Sequence, residues 1–201
     1  MMTMKRLVVW MAAAGLSAAL TTAVVLYLQG FNEHGLGAAL FVTGRLAFLA
    51  FWPSYCGAAL VIVFGAAFVP LQRRAREFGL AFAAIIAVHS LLVLWLTLIG
   101  APPGRTIFLE FGIALGWTVL LTVLSFNNLH QWLGRRGWRA VKFLGMNYIA
   151  YVFALDFTRD PFGGGLKHWL EYVPFAVLSI VGPCMRLLAF LQRRGELATI
   201  H

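Results

Sequence analysis

Five or six apolar stretches, each long enough to cross a bilayer, follow one another along this chain with short arginine-bearing connections between them. A hydrocarbon core of about 30 Å takes about 20 apolar helical residues to cross. Only a helix or a closed barrel keeps its backbone polar groups bonded there. Stretches of this length predict helices, so the expected fold class is an all-α integral membrane protein, a six-transmembrane helix bundle formed from one domain, 1–201. Spans are expected at about 7–28, 38–71, 78–99, 107–126, 141–157 and 169–191. The first is longer than a signal-peptide core of about 7–15 residues, which favours a retained span. Trp52-Pro53 is expected to kink the long second stretch, because proline removes a backbone donor.

Composition agrees with that solvent. The chain is 61% hydrophobic and 11% charged, where a soluble domain is about a quarter charged. The spans consume the length, leaving no room for a separate catalytic domain. The net charge of +9 sits in clusters beside the spans, as juxtamembrane anchors do, and nucleic acid is not an expected partner. Lys5, Arg6, Arg73, Arg74, Arg76, Arg135, Arg136, Arg139, Lys142, Arg193 and Arg194 would share one side; Arg45, Arg105, Arg159 and Lys167 the other. Eleven against four puts both termini in the cytoplasm and requires an even number of spans. Trp95, Trp132, Trp138 and Trp169 fall near span ends, where indoles anchor. The expected partners are membrane lipid and other membrane proteins, and the expected location is a bacterial inner membrane.

In this solvent the ionisable residues at depth need explaining: His89, Asp156, Glu110, Arg45 and Arg186. A neutral imidazole at His89, near the middle of the third span, can ligate haem iron, relay a proton or bond to a neighbouring helix. Arg45 and Glu110, near outer span ends, can pair across helices or snorkel, and Arg186 can snorkel inward. The aromatic run Phe41, Phe48, Phe51, Trp52, Tyr55 suits a packed or lipid-facing helix. Cys56 and Cys184 fall in apolar stretches and read as small core residues; no CxxC motif is present. Gly163-Gly164-Gly165 after Asp160-Pro161 reads as an external loop. No Ser-His-Asp order, paired-carboxylate site or HExxH motif occurs, so no self-contained catalytic site is expected.

A basic turn, Arg73–Arg76, precedes Gly79 and an intramembrane His89, and a connector Leu129-His130-Gln131-Trp132-Leu133-Gly134-Arg135-Arg136-Gly137-Trp138 follows the fourth span. With the six-span layout, these residues resemble the ferric-reductase-like transmembrane domain family, most closely the haem-binding membrane subunits of bacterial methionine sulfoxide reductase systems. The resemblance covers nearly the whole chain and implies b-type haem, held by the third-span histidine and by two histidines stacked on the helix after the Trp, passing electrons across the membrane. Aligned from Trp138, those two positions carry Lys142 and Leu155, or Asp156 with a one-residue slip, and no histidine occurs between His130 and His168. Lys142 or Met146 are conceivable replacement ligands. His130 is expected in the connector, and His34, His168 and His201 in loops or the tail.

His89 and Asp156 lie about 13 residues beyond Arg76 and Lys142 respectively, so at about 1.5 Å per residue both come about 20 Å from the inner surface. A carboxylate at that depth needs a partner. The expectation is a buried polar pair, His89 with Asp156, or His89 with Asn147 or Tyr148. The alternative puts Asp156 at the outer helix end beside Arg159 and Asp160. Three functions follow. One is a divergent, haem-free or haem-poor structural or accessory subunit of a larger membrane complex. Another is a haem b electron-transfer subunit using His89 as an axial ligand. The third, a small transporter, lacks the inverted repeat such proteins carry.

Overall fold

The computed structural model describes residues 4–125, 129–159, 161–162 and 165–198. All secondary structure among them is helical: α1 (Met4–Gln29), α2 (Glu33–Phe64), α3 (Val69–Arg73), α4 (Ala75–Leu98), α5 (Arg105–Ser125), α6 (Gly134–Thr158) and α7 (Leu166–Ala198). All but the short α3 are long and apolar enough to cross a membrane, six in number. The protein is an integral membrane helical bundle whose surface meets lipid. Leu20, Leu91, Leu98 and Leu170 are among the many large apolar side chains it leaves exposed, the inverse of a soluble surface.

The second span begins earlier and ends earlier than expected. Asn32 caps α2, its side-chain oxygen accepting from the Gly35 amide at 3.0 Å, with Glu33 in the first turn. Gly35 also lets the turn close, since a Cβ there would collide with the Gly30 carbonyl. At the other end Gly65 takes φ +82°, open to glycine and costly to L side chains, and stops the helix. The apolar run Ala66–Leu71, expected to continue the span, instead forms a 3-10 turn over Ala66–Phe68 and then α3. Pro53 sits inside a continuous α2, and Pro174 and Pro183 sit inside α7. The polar connector expected over 127–139 is largely helical: Leu129–Leu133 is a 3-10 turn and α6 already begins at Gly134. Of the triglycine loop, 163 and 164 lie outside the described residues, as do Asp160 and His201. His34 and His168, expected in loops, lie in the first turns of α2 and α7.

Helix α2 is the central post. It packs against α1, α4, α6 and α7, while α5 touches only α4 and α6 among the long helices. The α1–α4 contact uses small residues, with Gly15 lying against Ala84. Between α2, α4, α6 and α7 the interior is aromatic. Phe153 of α6 meets Phe48 at 5.2 Å between ring centroids, Phe51 at 5.7 Å, Phe157 at 5.9 Å and Phe82 of α4 at 6.1 Å. Phe157 in turn meets Phe175 of α7 at 5.2 Å. The aromatic run expected on α2 is therefore inward where it matters most: Phe48 and Phe51 are almost completely buried.

One end of the bundle gathers the start of α1, the end of α2, α3, the starts of α4 and α6, and the ends of α5 and α7. It carries the larger group of lysines and arginines and forms the basic face of the bundle.

Candidate functional site

On α4 the buried residues Phe82 and Ile85 recur at helical spacing, and His89 falls one further turn along the same side, toward α2. Its ring lies against α2: Cε1 is 3.7 Å from where a Cβ on Gly44 would stand, and Nδ1 is 2.9 Å from the Thr43 hydroxyl. Thr43 is fully buried, and its hydroxyl also reaches the Ala39 carbonyl at 2.8 Å. No other group among the described residues bonds to the ring. A ring N–H left without a partner costs more than an unused lone pair, so the hydrogen belongs on Nδ1. The His89 Nδ1–H then donates to Thr43, Thr43 donates to Ala39, and Nε2 keeps a lone pair.

The hydrogen bond expected between His89 and Asp156 is not among those the described residues form. The physical reason is the central position of α2, which supplies the partner from its own hydroxyl. Asp156 is exposed, within electrostatic reach of Arg45 and Arg159. Glu110 pairs with Arg159 at 3.9 Å, so Asp156, Glu110, Arg159 and Arg45 form a charged group at the end opposite the basic face. The other polar neighbours proposed for His89 are also engaged elsewhere. Asn147 accepts from the Tyr55 hydroxyl at 2.8 Å and donates to the Phe143 carbonyl at 2.7 Å, while the Tyr148 hydroxyl points to the Glu110 carbonyl.

Arg45 does not pair with Glu110. Its Nε and Nη2 both donate to the carbonyl of Glu171 on α7, each at 3.1 Å, and Nη1 donates to the Phe41 carbonyl at 3.2 Å. The guanidinium carbon stands 3.3 Å from the centre of the Phe41 ring and 4.6 Å from that of Tyr172. This bracket joins α2 to α7. The Phe41-to-Arg45 spacing of four residues was visible in the sequence as a possible cation–π pair; the Glu171 carbonyl was not. Arg186, expected to snorkel, lies 4.3 Å from the centre of the Tyr55 ring. Trp52 fastens α2 to α7 a second time, donating to the Leu178 carbonyl at 2.9 Å. Cys56 is buried as expected, whereas Cys184 is exposed; both are free.

A pocket of about 240 Å³ lies between α2, α4, α5 and α6, its lining reaching the basic face at Arg76, Ser125 and Trp138. Lys142 and Met146, the conceivable replacement ligands, both line it, but His89 does not. On α5, Gly112 and Gly116 stand four residues apart with open space before them. That glycine pair was legible as a GxxxG pattern and was missed. No group of three or more His, Cys, Asp or Glu among the described residues could hold a metal ion. No family model, curated protein or solved structure matches this chain.

Thr43→Val keeps the side-chain shape but leaves the His89 N–H without an acceptor, for which the expected loss is about 1–3 kcal/mol. His89→Leu removes the donor as well, so the double variant should be no less stable than His89→Leu alone. Thermal melts of the four proteins close the cycle. Strictly additive losses would mean that the two side chains do not interact.

Proposed function

We propose that this protein is a divergent member of the ferric-reductase-like transmembrane scaffold that acts, without haem, as a structural or accessory subunit of a larger membrane complex. The observation that carries this reading is the way the bundle's interior is filled. The chain's own aromatic rings occupy the space between α2, α4, α6 and α7, and His89 is held by Thr43 of α2. The residues present do not fit a haem. The two positions on α6 where the resemblance implies histidines carry Lys142 and either Leu155 or Asp156. The pocket beside Lys142 is smaller than the roughly 300–1,000 Å³ usual even for drug-sized ligands. The haem-bearing alternative keeps one point in its favour, the free lone pair on Nε2 of His89, but lacks an opposing imidazole.

The accessory role draws on α5. Only Ala114 and Thr118 of that helix are buried, and its outward face carries Gly112 and Gly116. Small residues at this spacing let another helix approach closely within a bilayer. The bias of lysine and arginine toward the basic face supports a cytoplasmic position for both termini, and the resemblance implies a bacterial inner membrane.

The test is purification from its own membranes under mild detergent. The expected result is a colourless particle larger than one chain, reduced to a smaller one by Gly112→Ile/Gly116→Ile. A Soret band lost on His89→Ala would restore the haem reading, and a particle of single-chain size would remove the accessory one.

A further inference from the structure

Two cations, Arg76 and Lys142, line the pocket at the basic face, and no carboxylate among the described residues lines it with them. Arg76, on the first turn of α4, donates to the Ser125 carbonyl and is thereby held at the end of α5. Lys142, on α6, lines the same pocket, and Arg186 of α7 reaches the next residue of that helix, its guanidinium carbon 5.8 Å from the centre of the Phe143 ring. Glu77 follows Arg76 in sequence but does not line the pocket and makes no ion pair among the described residues. The ion pairs formed among the described residues, Glu110–Arg159 and Lys167–Glu171, lie at the opposite end. Cations beside hydrocarbon are costly unless an anion joins them.

Beneath the cations the pocket turns apolar, with Phe51, Leu80, Met146 and Ile149 among its walls. Thr118 and Thr122 also face it, but their hydroxyl hydrogens are given to the Ala114 and Thr118 carbonyls at 2.8 Å and 2.7 Å. A free inorganic anion would use the cations and leave the apolar floor bare. An amphiphile uses both. At about 240 Å³ the pocket encloses only part of such a molecule, so the remainder must continue into the surrounding bilayer.

We propose that this pocket seats an anionic phospholipid from the leaflet at the basic face, its phosphate between Arg76 and Lys142 and the first part of an acyl chain on the apolar floor. Trp138, one turn before Lys142 on α6 and also lining the pocket, suits the headgroup level.

Thermal melts of the full chain in neutral detergent micelles, doped with phosphatidylglycerol or with phosphatidylcholine, test the site. Phosphatidylglycerol is expected to raise the melting temperature by about 5 °C over phosphatidylcholine. Arg76→Gln/Lys142→Gln should lose that rise, and Arg76→Lys/Lys142→Arg should keep most of it. Arg193→Gln/Arg194→Gln removes the same charge outside the pocket and should keep it fully. An equal loss in that last variant, or none in the first, overturns the site. The same rise from sodium phosphate alone overturns the lipid assignment. Should Arg76→Gln/Lys142→Gln not fold, native mass spectrometry of the wild type from mixed micelles decides: preferential retention of phosphatidylglycerol supports the site, and equal retention of both lipids overturns it.

Discussion

Arg45→Ala is expected to lower the melting temperature in detergent by about 10 °C, the equivalent of about 3–4 kcal/mol in a chain of this size. Three donors are lost at once, two of them directed at a single carbonyl 126 residues away in sequence. Hydrogen bonds from a charged donor contribute about 1.5–3 kcal/mol each, and a desolvated guanidinium over an aromatic face adds about 1–2 kcal/mol. These terms overlap, so their sum is an upper bound. Arg45→Lys separates charge from shape. An ammonium keeps the positive charge near Asp156 but cannot present two donors to Glu171 while lying flat on Phe41. It should recover less than half of the loss. A melt of Arg45→Ala within about 2 °C of the wild type, a change worth only about 1 kcal/mol, would show instead that the side chain snorkels to the interface.

The second large effect is expected at Phe153. Its ring touches four others contributed by α2, α4 and α6, and it is 5% exposed. Phe153→Ala opens a cavity at the point where these helices meet, and loss of a buried phenyl costs about 3–5 kcal/mol. Within a bilayer this energy comes chiefly from lost packing, since lipid tails are as apolar as the ring they replace. The effect should therefore follow volume closely: Phe153→Leu, which refills most of the space, should cost below about 1.5 kcal/mol. Leu91→Ala, on the exposed side of α4 at 65%, serves as the reference and should change little. Equal losses at Phe153 and Leu91 would contradict a packed aromatic interior.

The spans were legible because their cause is local: hydrocarbon demands a long apolar helix, and hydropathy records it. Their ends were less so. Ala66, Phe68, Val69 and Leu71 are apolar enough to extend the second span, yet Gly65 at positive φ has already turned the chain. In α6 the opposite happened, because Arg135, Arg136 and Arg139 disguised a first helical turn as a connector. The site was legible only as a list of unusual residues. Depth along the membrane places His89 and Asp156 at similar levels, but depth is one coordinate. Which helix stands beside which is decided by packing, and α2 supplies the hydroxyl that bonds to His89. Arg45 met the same limit: its principal acceptor is a backbone carbonyl, a group every residue has and no sequence pattern marks.

The Arg45 bracket also has a consequence for biosynthesis. Helix α2 carries a guanidinium into the membrane long before residue 171 is translated. A charge in a nascent span raises the free energy of insertion by up to about 2.5–3.5 kcal/mol, and here the compensating acceptor arrives only with α7. A chain truncated before α7 would keep that positive charge exposed to lipid, a mark by which membrane quality control could tell an unfinished product from a finished one.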